Sequence, residues 1–478
     1  MRFMTLLAAG FWLATGLAFG GTLSLEDYLN QVRSQGPDYK SFQASAEGLE
    51  KQSHQQDLLY APQLNASYNH LDDQQPQANN PFYSTHTLAD SFGVSLVDKL
   101  PFGPSLSVGY AFNNINLNFP ASAAFFLGPN NLTSYYQVSP TASISIPLFK
   151  DFGGIQTNAG VKKVQYQLES AEKGAAFQRE QSLFNAKMAY WNLALVRSEM
   201  EIRQDTLARS QKIWEWTKRR VARNLADPPD ALQAEASVRV AELDLQMAVE
   251  RERSSRFQFN RFRSIEKEDV PEQLGSLEDS LSALKVAIPD APPARLDLTS
   301  AQLTAKQQQA AYDEASQNIF PDITAFASWR GNGLDPNFSP ANDMALQNNR
   351  PTYNLGAQFN LPLDVFTASR VSEGYKKNYE SAQMAFRNKE IQVNQDWKDL
   401  AEHLQDIDKR LVMAAQIEEI QKNKANQERK RLELGRTTQF QLLSFENDYA
   451  LARLNRLSLV LEKLSALAQA QWWLAGEK

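Results

Sequence analysis

An internal repeat constrains the fold of this chain more than any other feature of its sequence. Three positions recur at a constant separation of 259 residues: Asp38 and Asp297, Ser41 and Ser300, and Pro62 and Pro321. A further pair, Pro147 and Pro362, is separated by 215 residues, so the first copy holds 44 additional residues between its prolines. Repetition on this scale predicts two similar structural units that together build one body.

The repeat and the local composition predict four segments. These are a signal peptide at 1–20, a first repeat at 21–264, a linker at 265–293 and a second repeat at 294–478. In the first repeat we expect a helix at 24–59, strands within 62–147, a long helix at 162–224 and a helix at 230–264. In the second repeat we expect a helix at 295–318, strands within 321–361, a long helix at 369–434 and a helix at 439–473.

The first 20 residues are typical of a secretory signal peptide. Arg2 precedes the apolar run Phe3–Phe19, and small residues surround a cleavage site that we expect after Gly20. A retained membrane anchor is the alternative, although the run is short and no stop-transfer charges follow it. The chain contains no cysteine, which excludes disulfides, thiolate metal sites and lipid attachment to an N-terminal cysteine.

The sequence lacks the patterns that are typical of catalytic sites, cofactor sites or nucleic-acid-binding surfaces. The net charge of −6 does not favour a polyanionic partner. The four histidines lack metal-ligand spacing: His54, His70, His86 and His403. Neither a Gly-x-Ser-x-Gly turn nor a phosphate-binding loop motif occurs. We therefore expect a protein that is not an enzyme and that has no metal or cofactor.

Alternating apolar and small polar residues predict strands with one apolar face. In one such run Leu106, Val108, Tyr110 and Phe112 alternate with serine, glycine and alanine. Runs of about nine residues suit the strands of a transmembrane β-barrel. A half-buried sheet in a soluble sandwich alternates in the same way, so the strands alone leave both interpretations open.

The two copies differ in their number of strands. Four are expected in the first copy, near 62–71, 91–97, 104–112 and 136–147, and two in the second, near 321–329 and 353–361. The additional hairpin turns at Leu100–Pro104. The pattern does not decide whether this hairpin lies in the barrel, giving six strands per chain, or outside it.

The two longest helices are expected to pack as coiled coils. Residues 162–224 and 369–434 contain no proline, and each would form a helix of roughly 95 Å at 1.5 Å per residue. Leu400, Leu404 and Ile407 have the spacing of a left-handed supercoil. Each helix then ends in a tight turn, which contains Gly435 in the second copy and two prolines at 228–229 in the first.

Three short segments carry a resemblance to a known family. They are Leu434-Gly435-Arg436-Thr437-Thr438 followed by Leu442-Leu443, Ile146-Pro147-Leu148-Phe149 with Gly153-Gly154, and Gly36-Pro37-Asp38. The first resembles a helix-turn-helix tip, the second a strand-to-helix exit and the third the start of a first helix. In these features the chain resembles the TolC-like outer-membrane efflux proteins, or outer membrane factors, over its whole mature length.

The resemblance implies a fold, partners and a location. The fold is an α+β membrane protein, in which a duplicated helix–strands–helix repeat forms a trimeric outer-membrane β-barrel continuous with a long periplasmic α-helical coiled-coil tunnel. The implied partners are two further copies, outer-membrane lipid, a periplasmic adaptor (membrane fusion) protein and an inner-membrane pump or ABC transporter. The implied function is a passive exit duct in a Gram-negative outer membrane, for efflux or for type I protein secretion. The family's four strands per chain differ from the six expected here.

The resemblance also assigns candidate site residues. Candidates for the periplasmic constriction are Asp227, Asp230, Gln441 and Ser444, and candidates for the adaptor-docking tip are Leu225, Leu434, Gly435, Arg436 and Thr437. In well-known members an arginine after the tip glycine is followed by aspartates that ring the entrance. Here Thr437 falls at the expected arginine position, with Arg436 beside it, and Gln441 and Ser444 stand at the places of the aspartates. Three copies of Asp230 would form an acidic ring. The alternative is that Asp227 and Asp230 cap the start of a helix, and the two roles are compatible with each other.

Two other classes of protein also combine long helices with strands. A surface adhesin with a coiled-coil stalk would have one stalk and a single β anchor, and it remains the alternative interpretation. An inner-membrane adaptor would require a lipoyl-like β domain. The interleaving of strands and helices in both copies favours the duct over either alternative.

Overall fold

The computed structural model describes residues 22–75, 84–119, 133–347, 350–361 and 363–475. The expected signal peptide at 1–20 lies outside these residues. The chain divides into two compact units: Met1–Ser45, Gly174–Leu296 and Ile391–Lys478 form the helical unit, and Ala46–Lys173 and Asp297–Glu390 form the sheet unit. In the described part of the chain, no helix combines the length and the hydropathy needed to cross a membrane.

Nine helices and nine strands are described. The helices are α1 (Leu25–Gln35), α2 (Pro37–Ser53), α3 (Ile155–Val221), α4 (Pro228–Phe262), α5 (Leu277–Ala283), α6 (Leu296–Ser316), α7 (Phe338–Leu346), α8 (Val365–Glu433) and α9 (Gln439–Leu474). The strands are β1 (Thr22–Leu23), β2 (Gln63–Asp73), β3 (His86–Lys99), β4 (Ser105–Asn118), β5 (Ser134–Pro147), β6 (Gln273–Leu274), β7 (Asp322–Arg330), β8 (Gly333–Asp335) and β9 (Thr352–Asn360). Helices α3 and α8, of 67 and 69 residues, contribute to both units.

Aromatic residues from three helices form the main core of the helical unit. The ring of Tyr28 in α1 stacks on Phe259 in α4 with centroids 4.3 Å apart, and Tyr190 in α3 packs beside both. The Tyr28 hydroxyl donates to the Phe259 carbonyl at 3.1 Å, and burial raises the pKa of Tyr28 far above its usual value. The buried Arg263 guanidinium lies 4.5 Å from the Phe259 ring centroid and closes this cluster.

A second core joins α8 to α9. Leu400, Leu404 and Ile407, which have the predicted coiled-coil spacing, are buried in one cluster with Ala466 and Ala470 of α9. Small residues on one helix opposite leucine and isoleucine on the other let the two backbones approach closely. The 3.5-residue spacing in the sequence therefore marks a contact between helices within one chain.

The sheet unit contains one antiparallel sheet with the strand order β2-β3-β4-β5-β7-β9, and β8 extends it by pairing with β5. The β3–β4 hairpin lies between β2 and β5, so the additional residues of the first copy add two strands to the middle of the sheet. Among the described residues, β2 and β9 each pair along one side only, so the sheet is not closed.

Helix α7 and strand β8 have no counterpart in the sequence analysis. The helix packs on β5 and β8, where Ala341 and Ala345 are fully buried against Val138. A Cβ added to Gly333 would lie 1.7 Å from the Ala341 carbonyl oxygen, and one added to Gly331 would lie 2.4 Å from that of Ala345. Only glycine allows this helix to approach the sheet so closely.

Two helices differ from their expected bounds by more than four residues. Helix α3 begins at Ile155, before the expected Lys162, because Asp151 accepts a hydrogen bond from the Thr157 amide at 2.8 Å and caps the first turn. The helix expected at 24–59 is interrupted at Gly36, where a Cβ would lie 2.5 Å from the Val32 oxygen and 2.7 Å from the Phe262 oxygen. The chain then continues as α2 and a short 3-10 helix, His54–Tyr60.

Candidate functional site

One face of the sheet is apolar and exposed. The register places Leu64 opposite Leu96, Leu96 opposite Val108, and Ala327 opposite Leu355, all on this face. Leu64, Val108 and Leu355 expose 71%, 61% and 79% of their surface. A continuous exposed apolar face of this kind needs a partner other than water.

A row of aromatic rings borders this apolar face on the β2–β4 side. Tyr68, Phe92 and Phe112 lie in register across three strands, with ring centroids 4.7 Å and 4.8 Å apart. The next row along the strands is polar and contains Asp90 opposite Asn114. The apolar surface on these strands therefore ends at the aromatic row. In transmembrane barrels a girdle of aromatic residues borders the apolar band in the same way.

The opposite face of the sheet carries small and polar residues. Ser67 pairs with Gly93, Ser95 with Gly109, and Ser107 with Ser143. A Cβ at Gly109 would lie 2.9 Å from the Thr141 hydroxyl, so this face is closely packed even with small side chains. The sheet thus separates an apolar surface from a polar one.

The turn between α8 and α9 has the geometry of a glycine helix cap. Gly435 has φ = +68°, its amide donates to the Leu432 oxygen at 2.9 Å, and the Arg436 amide donates to the Arg431 oxygen at 2.9 Å. This pair of bonds is the Schellman arrangement, which satisfies the last carbonyl groups of a helix. Gly435 therefore acts as the predicted cap, and the chain leaves α8 in a fixed direction.

The turn between α3 and α4 repeats this geometry with asparagine in place of glycine. Asn224 has φ = +55°, its amide donates to the Val221 oxygen at 3.0 Å, and the Leu225 amide donates to the Arg220 oxygen at 2.9 Å. Asparagine is one of the few residues besides glycine that adopts this conformation at low cost. The sequence analysis attributed this turn to the prolines alone and missed the role of Asn224.

The helices that follow both turns begin in the same way. Asp227 is the N-cap residue of α4, and Thr438 is that of α9, where its hydroxyl accepts from the Gln441 amide at 3.3 Å. Three residues after each cap stand Asp230 and Gln441. Asp230 is exposed, and its carboxylate accepts from the Asp227 amide at 3.4 Å, so it is part of a capping box.

The remaining candidate residues lie on or beside the two turns. Leu225 and Leu434 expose 60% and 67% of their surface, and Arg436 is also exposed. Thr437 points inward, where its hydroxyl donates to the buried carboxylate of Glu428. Ser444 is exposed and lines a cavity of about 360 Å³ between α3, α4 and α9.

The two turns are neighbours in the helical unit. Thr217, one turn before the end of α3, donates to the side-chain oxygen of Gln439, the first residue of α9. The structure therefore brings both candidate tips together.

Comparison with known proteins identifies the fold. No protein-family model matches the sequence, and neither does any curated protein. Among solved structures, CusC is 11% identical with a TM-score of 0.66, over 94% of this chain and 91% of CusC. The Campylobacter jejuni CmeC outer membrane channel is 12% identical with a TM-score of 0.64, over 95% of this chain and 85% of CmeC. The Neisseria gonorrhoeae MtrE outer membrane channel is 16% identical with a TM-score of 0.61, over 94% and 88%.

The chain has the fold of the outer membrane factors. The resemblance that the sequence motifs suggested is thus confirmed at the level of the fold. In this chain the fold includes a sheet with a path of six strands and the additional helix α7.

Sequence reasoning missed a buried charge cluster just inside the two turns. Glu446 of α9 is 5% exposed, and its carboxylate pairs with Arg209 of α3 at 3.2 Å and with Arg429 of α8. A buried carboxylate between two guanidinium groups ties three helices together. The sequence carries no local signal for it, because Arg209 is 237 residues away from Glu446.

Each of the four histidines lies beside a carboxylate, and two of these pairs cross between strands. His70 Nδ1 lies 2.8 Å from Asp90 Oδ1, and His86 Nε2 lies 2.8 Å from Asp72 Oδ1, linking β2 to β3 beyond the aromatic row. Within the described ranges, no group of three or more acidic, histidine or cysteine side chains is arranged to hold a metal ion. These contacts are cross-strand pairs that support the hairpin.

Proposed function

We propose that this protein is a homotrimeric exit duct in the outer membrane of a Gram-negative bacterium. It would passively conduct small molecules or proteins that an inner-membrane pump and a periplasmic adaptor deliver, without chemistry of its own. The observation that carries the proposal is the sheet, with an exposed apolar face, a polar face and two unpaired edges. Lipid would cover the apolar face, and the polar face would line water.

The two edges of the sheet support a ring of several chains. An edge strand presents unpaired backbone groups, which lipid cannot satisfy, so a sheet in a membrane has to close. Strands β2 and β9 are different edges of the sheet. Pairing of β2 in one copy with β9 in the next is therefore head-to-tail, and in the proposed trimer it closes into a ring. Three copies of the six-stranded path would give 18 strands, a number at which β-barrels enclose an aqueous channel.

Exposed apolar residues on the long helices support the same assembly. Helix α4 exposes the stripe Leu232, Val240, Leu243 and Met247. Helix α8 exposes a second group, Val412, Met413, Ile417 and Ile420. In the proposed trimer these residues would pack against neighbouring copies, as apolar residues at coiled-coil spacing do.

The two turns are proposed as the periplasmic tip. Leu225, Leu434 and Gly435 would contact the adaptor, together with Arg436 and the backbone at Thr437. Asp227 and Asp230 in the first turn, and Gln441 and Ser444 in the second, would border the entrance. Three copies of Asp230 would then favour cations at that entrance.

Single-channel recording tests this proposal. The purified protein is first examined by native mass spectrometry and then added to a planar lipid bilayer. We expect a trimer with a small, cation-preferring conductance. A well-folded monomer that neither inserts nor conducts would contradict the proposal, and a trimer that inserts without conducting would favour a surface stalk.

A further inference from the structure

The last turns of both long helices are rich in basic residues. Residues 209–223 contain six basic residues and one acidic residue, and residues 422–436 contain six basic and two acidic residues. The whole chain carries a net charge of −6, so the charge of these segments is opposite to that of the rest. The inference that follows rests on the proposed function of the two turns as a docking tip.

Helix dipoles account for only part of this excess of positive charge. A helix C-terminus favours cations, but the effect is limited to the last turn. Lys212 lies nine residues before the end of α3 at Val221, and Lys424 lies nine residues before the end of α8 at Glu433. Moreover, each turn also holds the N-terminus of the next helix, whose partial charge has the opposite sign.

Two buried acidic residues just inside the turns are paired with basic residues. Buried Glu446 is shared by Arg209 and Arg429, and buried Glu428 accepts from Arg431 at 3.1 Å and from Thr437. Eight cations of these segments have no acidic partner within the part of the chain that the structure describes: Lys212, Lys218, Arg219, Arg220, Arg223, Lys422, Lys430 and Arg436. The exposed carboxylates of Glu215, Asp227, Asp230 and Glu433 are half as many as these cations, so the surface of the two turns carries net positive charge.

One of these cations, Lys212, lines a groove. It has a volume of about 490 Å³ and lies between α3, α8 and α9. Its apolar lining is formed by Ile213, Trp216, Leu432 and Leu442. Lys212, Arg209 and Arg429 also line it, with Glu433 and Glu446 as its acidic residues. We call it the tip groove.

We infer that the tip groove receives an acidic tip of the periplasmic adaptor. An aliphatic side chain of the adaptor would occupy the apolar lining, and carboxylates beside it would pair with Lys212 and Lys430. Complementary charge of this kind steers docking and rejects partners of like charge. Docking is then weakened by salt, because the cations concerned are exposed.

Zero-length cross-linking tests the chemistry of the partner. A carbodiimide joins a lysine amine to a carboxylate only when the two are in contact, and it is applied to cells that make this chain with its own pump. We expect mass spectrometry to find Lys212 or Lys430 joined to aspartate or glutamate beside the loop of a single helical-hairpin protein. A Lys212→Arg/Lys430→Arg variant keeps the charge, so it should lose these products and retain export.

Charge reversal supplies the functional test. A Lys212→Glu/Lys430→Glu variant should reduce export about tenfold, because like charges would face each other across the contact. Equal export by the reversed and the arginine variants would overturn the inference.

A second reagent separates the two levels of the proposal. If an amine-to-amine linker captures the adaptor at Lys212 or Lys430 but the carbodiimide does not, docking stands and the acidic partner is overturned. If neither reagent joins these turns to any periplasmic protein while the trimer is intact, the docking function itself fails, and the inference fails with it.

Discussion

At the scale of single residues, the first turn carries two carboxylates, Asp227 and Asp230, at the positions that Thr438 and Gln441 occupy in the second. Asp230 and Gln441 each stand three residues after the cap of their helix. Asp230→Asn keeps a hydrogen-bond acceptor but removes the charge, so it should lower the preference for cations without unfolding the turn. Gln441→Asp should raise that preference. Reversal potentials in a salt gradient measure both, and if neither variant shifts the potential, Asp230 acts only as part of the capping box.

Two glutamates that form ion pairs with arginine differ in how far their side chains are buried. The Glu446 side chain is 6% exposed between Arg209 and Arg429, whereas the Glu462 side chain is 36% exposed beside Arg410. Glu446→Gln removes the buried carboxylate that two partly exposed guanidinium groups share, and it should destabilise the protein by about 2 kcal/mol. Glu462→Gln should cost under about 1 kcal/mol, because an exposed pair is worth little. Thermal unfolding followed by helical ellipticity compares them, and equal losses would contradict a structural role for the buried cluster.

At the scale of elements, the end of a long helix depends on one left-handed residue. Gly435 at φ = +68° and Asn224 at φ = +55° occupy the same position in the two turns. Gly435→Pro cannot adopt this angle and loses the amide that bonds to Leu432, so the second tip should distort and export should stop. Gly435→Asn copies the first turn and should retain export. The amount of trimer in the membrane is measured in parallel and should not change, because the strands lie far from this turn in sequence. Unchanged export by the proline variant would count against a docking role.

The elements that the sequence predicted well are those with local patterns. Alternation at Leu106, Val108, Tyr110 and Phe112 predicts a strand with one apolar face, and the structure places these residues on one face of β4. The spacing of Leu400 and Ile407 predicts packing between helices, because both residues have to reach the same neighbour. A period of two or of 3.5 residues is a property of the segment itself. It can therefore be recognised without knowing which element the segment packs against.

The elements that the sequence could not predict depend on distant contacts. The position of the β3–β4 hairpin inside the sheet is decided by pairing with β2 and β5, not by its own residues. Helix α7 packs on the sheet only because Gly331 and Gly333 have no Cβ, which lets the backbone at Ala341 and Ala345 approach closely. At the site, the turn positions followed from local motifs, whereas the buried state of Glu446 depended on helices hundreds of residues away.

At the scale of the whole molecule, the two unpaired edges of the sheet determine how copies can assemble. Contacts between β2 of one copy and β9 of the next form a ring, whereas a two-fold dimer would place each edge against itself. Cysteine chemistry separates these arrangements without interference, because the chain contains no cysteine of its own.

A cysteine at Ala66 on β2 is combined in turn with one at Tyr353, Leu355, Ala357 or Phe359 on β9, all on the apolar face of the sheet. At least one combination should give disulfide-linked trimers under oxidation, because the matching register brings the two Cβ atoms within about 4.5 Å. Each single variant should remain unlinked, since a ring never places β2 opposite β2. Efficient dimers from a single variant would mean that like edges meet, which a closed ring of three chains excludes.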